Sequence, residues 1–127
     1  MRFAKLFLVA FLATFTAPIV EEVIYRGLVY SALQRTAGAT LAIVATTILF
    51  AMVHVPQYYP SYSTILLILL LSLTLTLVRA RTGNLLPCII LHFIFNGLQS
   101  VALVVDQFLP KPPVDIPDAA AFLHRLL

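Results

Sequence analysis

The sequence predicts an all-α fold, a polytopic bundle of about four transmembrane helices. Its 127 residues are 61% hydrophobic and 10% charged, and the mean hydropathy is +1.03. A soluble domain averages about 45–50% apolar and about 25% charged residues. Residues 6–105 contain six charged side chains, namely Glu21, Glu22, Arg26, Arg35, Arg79 and Arg81. The composition excludes disordered and disulfide-stapled chains and indicates an integral, multi-pass membrane protein.

The first predicted helix lies in the N-terminal apolar stretch, restarts near Pro18 and runs to about Gln34. Basic residues followed by an apolar stretch within residues 1–20 also resemble a secretory signal peptide. A cut after Ala17 would put the bulky Phe15 at the third position before the cut and Pro18 directly after it, which argues against cleavage. We therefore expect a retained membrane helix.

Two further helices are predicted in the charge-free residues 36–78, because about 20 apolar residues cross a bilayer once. The segment PQYYPSY at residues 56–62 interrupts this stretch, and its prolines predict a turn. Its tyrosines suit the membrane–water interface. We expect one helix at about residues 38–55 and the next at about 62–80.

The last predicted span covers about residues 84–106. Arg79 and Arg81 followed by Gly83 form a helix stop signal ahead of it. Pro87 falls in its first turn, where a missing N–H costs little. Residues 1–109 thus form the predicted transmembrane core.

The remaining residues 110–127 are predicted to be a separate tail. Four of the eight prolines lie within residues 110–117, so no helix continues through them. Asp118 is placed to cap a short amphipathic helix that would lie at the membrane interface.

Neither the net charge nor the cysteine content adds a function. The charge is +3, but the basic residues form no cluster, so we expect no nucleic-acid partner. Their distribution over the span ends does not decide the orientation in the membrane. Cys88 is the one cysteine, which excludes an internal disulfide and predicts a buried, inert thiol.

Ionisable groups inside membrane spans usually face a bundle interior or a wet cavity. Glu22 and Arg26 are spaced i, i+4 and can pair on one helix face. Glu21 projects about 100° away around the axis, so it is left as a spare carboxylate that could act as a base. The alternative is a structural charge cluster near a helix start.

Two further spans contribute polar groups. His54 ends the second helix, and His92 and Asn96 share one face of the last helix. Glu with His suits water activation, and His with Asn suits oxyanion stabilisation, which together indicate a peptidase. Interhelical hydrogen bonding is the alternative for each residue alone. Two imidazoles and the Glu21 carboxylate could instead ligate a metal.

Three segments, EEVIYR, FAMVH and HFIFN, occur in this order on successive predicted helices. They resemble the motifs Glu-Glu-x-x-x-Arg, Phe-x-x-x-His and His-x-x-x-Asn of the CAAX prenyl endopeptidase and bacteriocin-processing (CPBP) family of intramembrane proteases. The likeness covers roughly residues 15–100 and implies a minimal core of that fold. Each motif is weak singly, but the ordered triplet is specific.

The resemblance implies four catalytic side chains, Glu21, His54, His92 and Asn96. The first two would position and deprotonate the attacking water, and the last two would stabilise the tetrahedral oxyanion. It implies three supporting side chains around them, Glu22, Arg26 and Phe50. The family is catalogued as metalloproteases, so a divalent metal such as zinc on Glu21, His54 and His92 and a metal-free glutamate mechanism both stay open.

The resemblance also implies the location, a bacterial-type cell membrane, and the substrate, a peptide or a lipidated protein held at the lipid bilayer. Family members usually carry several more spans before the first motif, whereas twenty residues precede Glu21 here, so we expect a fragment or a minimal form. The alternatives are a non-catalytic membrane protein of the same fold, such as a bacteriocin self-immunity or binding factor, and a small metal or ion carrier. No residue argues for a particular oligomer.

Overall fold

The computed structural model describes residues 2–106, 108 and 109, and all regular structure within them is helical. An unbroken helical run of residues 2–37, called here the N-terminal helix, contains two π-helical segments. Its parts are α1 (Arg2–Phe11), the first π segment (Leu12–Thr16), α2 (Ala17–Glu22), the second π segment (Val23–Val29) and α3 (Tyr30–Ala37). Three straight helices follow, α4 (Ala39–Tyr58), α5 (Tyr62–Thr82) and α6 (Leu86–Asp106).

In the part of the chain that the structure describes, four helices are long and apolar enough to cross a membrane, as the sequence predicted. They are Phe7–Ala37, Ala39–Tyr58, Tyr62–Thr82 and Leu86–Asp106. Twenty helical residues rise about 30 Å, which matches the hydrocarbon core of a bilayer. The protein is therefore an integral, multi-pass membrane protein.

The predicted restart at Pro18 is wrong, because the N-terminal helix continues through it. In the first π segment the Ala17 N–H bonds to the Leu12 carbonyl, five residues back. This wider turn gives the proline ring room against the preceding turn, and the proline then occupies the first turn of α2. The helix changes from i−4 to i−5 hydrogen bonds over this segment instead of breaking.

The second span is longer than predicted. α4 passes through Pro56 and ends at Tyr58, so the turn before α5 is confined to residues 59–61. A proline in the last turn removes one backbone hydrogen bond, a small loss in a helix of 20 residues. His54 therefore lies one turn inside the helix rather than at its end.

Glycines make two of the tight connections between helices. Gly38 (φ 86°) joins α3 to α4, and Gly83 (φ 64°) ends α5, both with the positive φ that glycine adopts without strain. The Asn84 side chain accepts a hydrogen bond from the Leu86 N–H at the start of α6. The short links make neighbouring helices antiparallel.

The packing places α6 against the first half of the N-terminal helix and α4 against its second half. α5 packs most closely on α4 and also contacts α6. Leucine, isoleucine, valine and phenylalanine side chains are exposed along the outer faces, where lipid would cover them. The centre instead buries polar side chains, namely Glu22, Arg26, Thr46, Thr47, Ser72, Thr76 and His92.

The predicted proline-rich tail with its capped helix, residues 110–127, lies outside the described residues. Cys88 is buried without a disulfide, as expected.

Candidate active site

A cavity of about 240 Å³ opens between the four spans. All four side chains that the motifs singled out for chemistry line it, namely Glu21, His54, His92 and Asn96. Phe50 forms part of the wall, and Gln57, Tyr58, Thr64 and Gln99 add neutral polar groups. The fold thus brings groups from three separate helices into one space.

A buried ionic cluster lies behind this cavity. Arg26 Nη1 donates to Glu22 Oε1 at 3.1 Å, the pairing that the i, i+4 spacing predicted. Nδ1 of His92 lies 2.8 Å from the same oxygen. Glu22 and Arg26 are fully buried and His92 is 2% exposed, so low dielectric strengthens these contacts. The Glu22 carboxylate therefore joins the first motif to the third.

Arg26 has further partners that the sequence analysis missed. Its Nη2 donates to the Ser72 hydroxyl at 2.8 Å and to the Ser72 carbonyl at 3.1 Å, and its Nε donates to Thr76 Oγ1 at 3.3 Å. Phe50 covers the guanidinium, with Cζ 4.4 Å from the ring centroid. Ser72 and Thr76 share an i, i+4 face of a leucine-rich span, and that spacing was the signal available in the sequence.

Glu21 occupies the opposite situation from Glu22. Its side chain is 26% exposed, and Oε2 lies 3.7 Å from Nε2 of His92. A contact of that length is too long for a hydrogen bond between these atoms. The Glu21 carboxylate is thus left facing the cavity, where it can bind a water molecule or a substrate group.

His54 is held in one tautomer by its own helix. Its Nδ1 lies 2.8 Å from the Phe50 carbonyl oxygen, which can only accept, so Nδ1 carries the proton. The ring packs between Phe50 (4.8 Å between centroids) and Tyr58 (6.5 Å, stacked). The Nε2 of neutral His54 therefore bears a lone pair and can take up a proton.

The same reasoning orients His92 and Asn96. Because the Glu22 carboxylate accepts at Nδ1, the Nε2 of His92 is the nitrogen on the Glu21 side. Asn96 Nδ2 donates to the Ala13 carbonyl at 2.9 Å. This bond uses one of the two N–H groups of the amide and leaves the other for a second acceptor. Protonated His92 and Asn96 can each offer one N–H to an anionic oxygen in the cavity.

Arg79 lies in the last turn of α5, as the stop signal predicted, and its side chain also makes contacts that the sequence did not reveal. Its Nε donates to the Arg26 carbonyl at 3.2 Å. That carbonyl lies in the second π segment, where the Tyr30 N–H bonds to Tyr25 instead. Ser31 donates to the same carbonyl at 3.4 Å. Arg79 and Ser31 thus both donate to a carbonyl that does not receive the Tyr30 N–H of a regular α-helix.

The carboxylate and imidazole groups of the cavity do not form a metal site. Across residues 2–106, 108 and 109, no group of three or more His, Cys, Asp or Glu side chains could hold a metal ion. A catalytic zinc site needs three protein ligands directed at one point. The side chains of Glu21, His54 and His92, as placed here, do not form such a set.

A comparison with protein families gives one match. The family model described as "Type II CAAX prenyl endopeptidase Rce1-like" matches residues 3–98, a range that includes all three motifs. No curated protein and no solved structure matches the chain.

Proposed function

Because the chain belongs to the type II CAAX prenyl endopeptidase Rce1-like family, we propose that it is an intramembrane endopeptidase. It hydrolyses a peptide bond in a membrane-tethered or prenylated peptide or protein, with a water molecule as the nucleophile. The observation that carries the proposal is the convergence of Glu21, His54, His92 and Asn96 on one cavity. Structural hydrogen bonding alone gives no reason for four such groups to share a cavity.

Glu21 and His54 are the groups proposed to activate water. A water molecule between the Glu21 carboxylate and the Nε2 of His54 would have an acceptor for each of its protons. One proton moves to this pair as the oxygen attacks the carbonyl carbon, and it is later available for the leaving amine. A general base of this kind contributes about 10²–10⁴ in rate.

His92 and Asn96 are the groups proposed to stabilise the tetrahedral oxyanion. The Glu22 carboxylate accepts from Nδ1 of His92, so Nε2 is the ring nitrogen that can donate to the oxyanion when the ring carries both protons. Asn96 adds a second N–H from the same helix face. Fixed donors at a developing charge are worth about 10²–10³ each in rate.

The described residues also support the class of substrate. The cavity lies among helices that could span the membrane, and its lining includes neutral polar groups, which suits an uncharged peptide segment presented from the membrane. Large apolar side chains cover the outer faces of the helices around the cavity, where they could contact a lipid group attached to the substrate. Peptide amides can pair with Gln57, Thr64 and Gln99.

The test is peptide cleavage by the purified full chain in lipid vesicles. Two peptides of one sequence with a cysteine near the C-terminus, one prenylated and one not, are incubated with it and analysed by mass spectrometry. We expect a single cleavage product, formed faster from the prenylated peptide. Binding of the prenylated peptide without any product would overturn the proposal and favour a non-catalytic binding or immunity factor.

A further inference from the structure

The first π segment leaves one backbone carbonyl of the N-terminal helix without a backbone donor. In an α-helix the Ala13 carbonyl would accept from the N–H of residue 17, but the Ala17 N–H bonds to Leu12. In a π-helix it would accept from residue 18, which is Pro18 and has no N–H. Both regular donors are therefore removed, one by the register and one by the side chain.

Asn96 fills this vacancy from another span. Its Nδ2 donates to the Ala13 carbonyl at 2.9 Å, and both residues line the cavity. Because a carbonyl oxygen only accepts, this bond fixes which end of the amide faces Ala13. About one turn further along α6, Ser100 Oγ lies 2.8 Å from Thr14 Oγ1, which keeps the two helices in register.

We propose that Pro18 is a positioning residue for Asn96. By withholding an N–H from the Ala13 carbonyl, it reserves that oxygen for the Asn96 amide and so holds the amide in the cavity with its second N–H available. A buried carbonyl is paired in nearly every native structure, so an N–H at position 18 would compete with Asn96 for it. The catalytic consequence rests on the proposed function, but the coupling between the two residues does not.

The experiment compares Pro18→Ala with Pro87→Ala, a matched exchange in the first turn of α6. An N–H introduced in a first turn has no intrahelical acceptor, so Pro87→Ala should create no new helical hydrogen bond. Pro18→Ala supplies an N–H that can bond to Ala13. We expect kcat for peptide cleavage to fall at least about tenfold with KM unchanged, since an oxyanion donor acts in the transition state. Pro87→Ala should keep the wild-type kcat.

A double-mutant cycle separates positioning from general damage. Asn96→Asp keeps the side-chain size, and its ionised carboxylate has no proton to donate to the Ala13 carbonyl. If the proposal holds, Pro18→Ala lowers kcat in the wild type and has no further effect in the Asn96→Asp background. An equal loss in both backgrounds, or an unchanged kcat for Pro18→Ala, overturns it.

The same cycle is read from thermal unfolding midpoints in detergent micelles, which need no activity. We expect the shifts caused by Pro18→Ala and Asn96→Asp to be non-additive. Non-additive shifts in a protein that cleaves neither peptide would retain the positioning role and reject the proposed function. Additive shifts would reject the positioning role, whatever the activity.

Discussion

Nδ1 of His92 lies 2.8 Å from Oε1 of Glu22, the oxygen that also accepts from Arg26. One buried carboxylate oxygen thus serves a cation on its own helix and an imidazole on α6. Glu22 acts as a counter-ion and a tether, while the neighbouring Glu21 faces the cavity. The two adjacent acids of the first motif are therefore expected to respond differently to the same substitution.

Glu22→Gln should destabilise the protein, because it removes the counter-ion of the fully buried Arg26. Breaking one partner of a buried ion pair costs about 3–5 kcal/mol. Glu21→Gln makes the same chemical change at a partly exposed side chain and should shift the free energy of unfolding by less than about 0.5 kcal/mol. Unfolding midpoints in detergent measure both, and equal shifts for the two variants would contradict these roles.

His54→Ala should lower kcat by about 10²–10⁴, the range for loss of a general base. Imidazole added to the assay should restore part of the rate, because His54 borders an open cavity and owes its tautomer to a backbone carbonyl. His92→Ala should not be rescued, since that ring lines the cavity wall but is only 2% exposed and is held by the buried Glu22 carboxylate. Met52→Ala on the exposed face of α4 is the control, and rescue of both histidine variants or of neither would argue against this division of roles.

Arg79→Lys should reduce stability by about 1.5–3 kcal/mol, the value of a hydrogen bond to a charged group. A lysine ammonium lacks the planar fork with which Arg79 reaches both the Arg26 carbonyl and Ser31. Arg81→Lys, two residues further and exposed, is the matched control and should leave the unfolding midpoint unchanged. No shift for Arg79→Lys would show that the π turn does not need this donor. A shift of equal size for Arg81→Lys would show that the loss does not come from the contact with the Arg26 carbonyl.

Peptide cleavage should persist after treatment with a chelator, because no metal-binding group of three side chains forms among residues 2–106, 108 and 109. The measurement is the initial cleavage rate with and without chelator, together with the metal content of the active protein. A rate lost on chelation and restored by zinc would show that Glu21, His54 and His92 rearrange to bind the ion.

Much of the fold was predictable from the sequence, because span length and charge placement follow from bilayer thickness. The Glu22–Arg26 pair was predictable from its i, i+4 spacing. A restart of the helix was predicted at Pro18, where the structure has a continuous helix with a π segment before the proline. The carbonyl freed by this segment is paired by a donor from another helix, which local sequence does not show. Asn96 bonds to a carbonyl 83 positions away along the chain, a contact that only the packing of α6 creates.

The site was predictable only in part for the same reason. The chemistry of Glu21, His54, His92 and Asn96 was inferred from residue types and from motif order, not from distances. The position of Arg79 at a helix end was predicted correctly, but its hydrogen bond to the second π segment was not, because that contact depends on how α5 packs. The partners of Arg26 on α5 likewise required the packing of α5 to be known.

The most direct test of the proposed chemistry is the cleavage rate of Glu21→Gln on the prenylated peptide, with Leu28→Ala on the exposed side of the same helix as the control. The proposal predicts a loss of about 10²–10⁴ in kcat for Glu21→Gln at wild-type stability, and no loss for the control. Wild-type turnover by Glu21→Gln would contradict it.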